Sequence, residues 1–140
     1  MDRIDRVSIV GMGAMGILYG DFFANALGRE QVTFLADSDR ARRYRNTPVY
    51  CNGRKMDFRI QDGAVPDSQG PAQLLLFAVK ATALGDAISV AGNQVGKDTV
   101  ILSVLNGITS EAVIGEALGM DHVLYLSLIH ISEPTRLGMI

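Results

Sequence analysis

This 140-residue chain has one cysteine, few aromatic residues (6%) and no excess of charge in either direction. A lone cysteine, Cys51, excludes an internal disulfide and a cysteine-based zinc site, and it suits a reducing, cytoplasmic setting. The net charge is −2, with 13 basic and 15 acidic residues mixed along the chain. That balance argues against general nucleic-acid binding and against attraction to a membrane surface. No apolar run reaches the roughly 18 residues that a spanning helix needs. The stretch Met1 to Arg6 lacks the apolar core of a signal peptide, so it reads as the true start of a cytoplasmic protein. Internal repeats and low-complexity segments are missing too.

What is present is an apolar fraction of 48% and 15 glycines, in a chain of about one domain's length. Val7 to Val10 is a short run rich in β-branched residues that ends at Gly11, as a buried parallel strand does. From Ala14 to Leu27 apolar residues recur at helical spacing (Met15, Leu18, Phe22, Phe23, Ala26), with Gly28 as the stop. Val32 to Ala36 is a second strand. Asp37 or Ser38 can cap a short basic helix through Tyr44 that Pro48 halts. Asn52-Gly53, between Val49-Tyr50-Cys51 and Met56-Asp57-Phe58, predicts a two-residue hairpin.

A polar loop from Asp62 to Pro71 leads to Leu74–Val79, the most apolar strand candidate. A helix through Ala87 and Val90 precedes a strand over Thr99–Leu105. Thr109 or Ser110 then opens a helix that Gly119 ends, and His122 to Tyr125 begins a further strand. Strands alternating with helices predict an α/β fold of Rossmann type. Its doubly wound sheet is mostly parallel, with one small antiparallel hairpin excursion.

Gly11-Met12-Gly13-Ala14-Met15-Gly16 follows the first strand and opens the first helix, the context that gives a G-x-G-x-x-G pattern its meaning. Gly11 allows the tight turn, Gly13 removes a Cβ that would block a pyrophosphate, and Gly16 lets the helix approach the strand. The pyrophosphate would rest on the unpaired N–H groups and positive end of that helix. Asp37 lies 21 residues beyond Gly16, near where an acidic side chain holds the ribose 2′-hydroxyl of NAD. Arg40, Arg42, Arg43 and Arg45 crowd the next turns, where an arginine fork would match the 2′-phosphate of NADP. One carboxylate and several cations pull in opposite directions, which leaves both nucleotides open.

Two polar residues stand where strands end, the place where open α/β sheets bind ligands. Lys80 follows Leu74–Val79 and can meet cofactor phosphate or ribose oxygens as a point charge. Asn106, followed by Gly107, can donate and accept together, which suits a ribose hydroxyl or a substrate carboxylate. The plain alternatives are an exposed lysine and a common turn pair.

Together, Val7–Gly16, Ala78-Val79-Lys80-Ala81 and Leu105-Asn106-Gly107 resemble the N-terminal half of ketopantoate reductase (2-dehydropantoate 2-reductase) over residues 6 to about 125. The hairpin at Asn52-Gly53 fits the same family. The resemblance implies NADPH-dependent reduction of 2-dehydropantoate to pantoate, on the route of pantothenate and coenzyme A synthesis. It implies that Gly11–Gly16 hold the pyrophosphate, that Lys80 and Asn106 contact the cofactor, and that Asn106 also faces substrate. One departure is that Asp37 falls where many members place the arginine that reads the 2′-phosphate; Arg40 could substitute from the next turn.

The family's proton-donating lysine and its carboxylate partner lie in a C-terminal helical domain, which is expected to be absent here. Leu126–Arg136 resembles the translated sequence of a transposon-type sequencing adapter. Residues 1–125 are therefore expected to form the NADP-binding domain and 126–140 a non-native tail. Neither His130 nor His122 is then a catalytic base, and no catalytic or metal-binding residue is assigned. The expected ligands are NADPH, with NAD as the alternative, and a small keto acid; self-association is left open. The 140-residue chain itself is expected to be inactive. Competing readings are a related hydroxy-acid or glycerol-phosphate dehydrogenase and a non-catalytic dinucleotide-sensing module.

Overall fold

The computed structural model describes residues 4–47, 49–51, 53–56, 58–104 and 108–124. Strand β1 (Val7–Val10) is buried along its whole length. Helix α1 (Ala14–Leu27) stops at Gly28, whose φ of 101° favours glycine and whose N–H reaches the Ala24 carbonyl at 2.9 Å. Strand β2 (Val32–Ala36) pairs in parallel with β1, Val7 opposite Val32. Helix α2 (Ser38–Asn46) is followed by β3 (Val49–Cys51) and β4 (Arg54–Met56), an antiparallel pair in a sheet of its own. The remaining strands and α-helices are β5 (Arg59–Asp62), β6 (Leu74–Phe77), α3 (Leu84–Ala91), β7 (Val100–Ser103), α4 (Ile108–Leu118) and β8 (Val123–Leu124).

The main sheet has six parallel strands in the order β5-β2-β1-β6-β7-β8. From β1 the chain first winds one way, through β2 to β5, and then returns to the other side through β6, β7 and β8. This is the doubly wound, Rossmann-like α/β architecture expected, with the small antiparallel hairpin beside it. Side chains alternate between two cores because strand side chains alternate between faces. Val7, Ile9, Val32, Phe34, Leu74 and Leu76 pack with Tyr19, Phe23 and Leu27 of α1 on one face. Val10, Leu35, Leu75, Phe77 and Ile101 pack with Leu84, Ala87 and Ile114 of α3 and α4 on the other. Each fully buried phenylalanine here, Phe34 or Phe77, contributes about 2–3 kcal/mol by removal from water.

The edge strand differs from the sequence reading. Arg59–Asp62 is not part of the hairpin or of a loop; it is a parallel edge strand on β2, with Phe34 opposite Ile60. Its polar composition carries no strand signal, and the pairing comes from the neighbour. The packing of α1 goes beyond what its spacing predicts. Met15, Leu18 and Phe22 share the helical spacing of a core face, yet they are 48%, 53% and 63% exposed. The buried residues of the helix are Gly16 and Gly20. A Cβ on Gly20 would come within 2.8 Å of the Phe34 ring, so the helix lies against the sheet through its glycines. Among the described residues, no helix is long and apolar enough to cross a membrane.

Candidate functional site

The strand order reverses between β1 and β6, and the glycine loop leaves the carboxyl end of β1 at that switch point. The three glycines do different work. Gly11 has φ +113°, and a Cβ there would run into the Ala78 carbonyl and stand 2.9 Å from Val79 Cγ1. It is where the ends of β1 and β6 come together. A Cβ on Gly16 would strike the Gly11 carbonyl oxygen, so the start of α1 can lie against the loop only without a side chain. Gly13 is different: nothing stands within 4 Å of a Cβ placed there. It opens the helix, its carbonyl accepting from Ile17 N–H at 3.0 Å, with no side-chain cap. The first N–H groups of a helix lack partners within it. A phosphate fits this position, because two glycines shape the loop and the third leaves its outer side clear. Ala14 and Met15 are exposed beside Gly13, while Met12 turns inward against the α1 core.

Across the crevice, the end of β2 carries Asp37. Its Oδ1 accepts from the Arg40 N–H at 2.8 Å, so Asp37 is the cap of α2. Ser38, the other candidate cap, donates instead to Asp62 Oδ2 at 2.6 Å and ties the start of α2 to the edge strand. That bond, the first cause, and a second from the Ala64 N–H hold the Asp62 carboxyl below the usual carboxylate range. Arg40 Nε stands 3.6 Å from Asp37 Oδ2, both side chains about half exposed. The expected arginine fork is not formed by its neighbours. Arg42 faces Asp39 at 3.7 Å, and Arg45 donates to the Ile60 carbonyl at 3.1 Å. Of the basic residues of α2, Arg40 alone lines the crevice, together with Gly11, Asp37, Tyr44, Val79 and Asp86.

Lys80 is exposed just beyond β6, at the same end of the sheet. Asn106 and Gly107 lie outside the described residues. His122 donates from Nδ1 to the Thr99 carbonyl at 2.7 Å, which gives it a structural role. Tyr44 was legible in principle, since it lies one turn beyond Arg40 on the same helix face. Asp86 carries no such signal; only the packing of α3 on β1 and β2 brings it here. The crevice is narrow, about 40 Å³. A larger cavity, about 590 Å³, lies between α2, the hairpin and the edge strand, and reaches the glycine loop only through Met12. Volume is the poorer guide, because the groups able to read a dinucleotide gather at the switch point.

The amino end of the sheet holds a second polar group. Arg59 grips Asp67 through two bonds, at 2.8 and 2.6 Å, and also donates to Thr33 Oγ1 at 2.9 Å. Gln94 donates to Asp67 at 2.9 Å and accepts from Ser8 Oγ at 2.9 Å. The bonds from Arg59 hold the Asp67 carboxyl well below the carboxylate range against the opposing effect of burial, helped by Gln69 N–H and Gln94. This network had no place in the sequence reading.

Over residues 7–135 the chain matches the ketopantoate reductase PanE/ApbA family, a span that runs past the expected limit near 125. Among solved structures it is similar to 2-dehydropantoate 2-reductase from Geobacter metallireducens GS-15. The identity is 25% and the TM-score 0.64, over 84% of this chain and 39% of that one. It is also similar to D-mandelate dehydrogenase in its ternary structure with NADH and anilino(oxo)acetate. There the identity is 21% and the TM-score 0.68, again over 84% and 39%. A third similarity is to 2-dehydropantoate 2-reductase from Porphyromonas gingivalis W83, with 21% identity, TM-score 0.61, and 86% and 45% covered. The chain spans about two fifths of the length of these proteins.

Proposed function

The chain belongs to the ketopantoate reductase PanE/ApbA family, and from that premise we propose that it is the cofactor-binding part of a 2-dehydropantoate 2-reductase. The observation that carries the reading is Gly13, which opens α1 at the switch point with clear space where a Cβ would stand. In this reading Gly11 to Gly16, with Met12, Ala14 and Met15 between them, hold the pyrophosphate. Asp37 and Arg40 meet the adenosine ribose, and Lys80 and Asn106 reach further cofactor oxygens, Asn106 facing the keto acid as well. Bound NADPH supplies the hydride that reduces a ketone. The side chains of this chain orient the nucleotide and balance its charge; the proton donor is expected from the part of the family's length beyond this chain. The reaction then runs in the cytoplasm, on the route to pantothenate, without nucleic acid or membrane as partner.

A calorimetric titration of the 140-residue chain with NADPH tests the nucleotide half. Saturable binding supports it, and no binding at millimolar nucleotide overturns it. The substrate half rests on NADPH consumption by the whole protein that contains this domain. Preference for 2-dehydropantoate supports it; preference for an aryl 2-oxo acid favours a hydroxy-acid dehydrogenase instead. The 140-residue chain alone should turn over at least about a hundredfold more slowly than that whole protein, for want of a general acid. Residues 126–140 are proposed to be non-native, and re-reading the coding DNA around codon 126 tests this directly.

A further inference from the structure

The geometry points to Asp37 and Arg40 as a paired reader of the nucleotide ribose that admits NADH beside NADPH with little discrimination. The inference rests on the dinucleotide reading above and concerns only which nucleotide enters. Both residues line the crevice beside Gly11, and both are about half exposed, so a ligand can reach them. Asp37 is bound to its place by the cap bond to Arg40 N–H at 2.8 Å. Its carboxylate is thus held where ribose hydroxyls can donate to it. Arg40 is held less firmly. Its Nε lies 3.6 Å from Asp37 Oδ2, an ion-pair distance and longer than a good hydrogen bond.

A 2′-phosphate arriving here meets one guanidinium, because of the basic residues of α2 only Arg40 lines the crevice. It also meets two carboxylates, Asp37 and Asp86, in the same crevice. To bind it, Arg40 must exchange Asp37 for the phosphate. The attraction gained is offset by the pair lost and by repulsion from the fixed Asp37. A ribose hydroxyl makes no such demand: it donates to Asp37 while Arg40 stays. Each nucleotide therefore has one residue in its favour and one against, and the two preferences nearly cancel.

The test is calorimetric titration of NADH and of NADPH into the 140-residue chain and two variants. Asp37→Asn keeps a good helix cap, so α2 survives and only the charge is removed. The wild type should bind the two nucleotides within about tenfold of each other. Asp37→Asn should weaken NADH and tighten NADPH, moving their ratio by roughly tenfold or more, the scale of one bond to a charged group. Arg40→Gln should weaken NADPH by a similar factor and leave NADH within about twofold. A wild-type preference above about tenfold for either nucleotide overturns the inference while leaving the dinucleotide reading intact. So does an Asp37→Asn variant that moves both affinities together, which would mark Asp37 as merely structural. Failure of both nucleotides to bind the wild type overturns the dinucleotide reading and this inference with it.

Discussion

At the amino end of the parallel sheet, Ser8, Gln94, Asp67 and Arg59 are joined in a continuous line of hydrogen bonds. At the carboxyl end, roughly 13 Å along the same four-residue strands, Gly13 faces clear space and Asp37 and Arg40 stand half exposed. One sheet thus carries two polar regions of opposite character. In the first, polar atoms find partners within the chain, and Asp67 is 3% exposed. The second keeps groups whose best partners would come from outside. Polarity alone does not mark a site: the stronger ion pair and the more perturbed carboxylate belong to the amino end, where they satisfy one another. What marks the carboxyl end is incompleteness in a place that the strand order holds open.

Substitutions can break or sharpen this contrast. The largest loss should follow Gly11→Ala, because a Cβ would collide with the Ala78 carbonyl at a φ of +113° that side chains avoid. Overpacking and backbone strain together should cost roughly 3–5 kcal/mol, read as a lower midpoint in urea denaturation. That outcome would show that part of the glycine loop is structural.

Next comes Asp67→Ala, which takes from Arg59 and Gln94 the acceptor they share and should cost roughly 3 kcal/mol with the NADH-to-NADPH affinity ratio unchanged. Its pH signature has a definite sign. The Asp67 carboxyl is depressed in the folded chain, so its stabilising contribution is present above the unfolded value near 3.9 and is lost as pH falls below it towards the folded value. Wild-type stability should therefore fall steeply below about pH 4, and the Asp67→Asn variant should fall less. Equal slopes would remove Asp67 from the account.

A smaller effect on the fold, with a clear one on binding, is expected for Gly13→Ala. The new methyl meets nothing in the chain, and alanine is a poorer cap than glycine, so stability should drop by about 1 kcal/mol or less. Nucleotide affinity should drop at least about tenfold, because the methyl enters the phosphate's space. Unchanged affinity would remove the ligand-facing role from Gly13. The smallest effect should come from deleting residues 126–140: nucleotide affinity should stay within about twofold if that tail adds nothing to the crevice.

Much of the architecture could be read from local pattern. β1, α1 and β2 are bounded in the chain as their residues predict, because β-branched runs, glycine punctuation and caps are local signals. The hairpin at Gly53 was legible for the same reason, though its second strand is Arg54–Met56, earlier than expected. The packing of α1 was not legible, because apolar spacing names a helix without saying which face turns inward; Gly16 and Gly20 decide that by permitting close contact. The edge strand Arg59–Asp62 was missed because its partner, β2, supplies the reason for it.

The same division runs through the candidate site. The residues by themselves determined the α/β class, the glycine loop and the presence of an acid and several bases after the second strand, since these depend on neighbours a few positions apart. Tertiary structure alone decided which arginine faces the crevice, that Asp86 joins Asp37 and Arg40 from α3, and that Asp67 is matched by Arg59 and Gln94 at the far end. Those outcomes depend on distances between elements far apart in the chain, which no local pattern encodes.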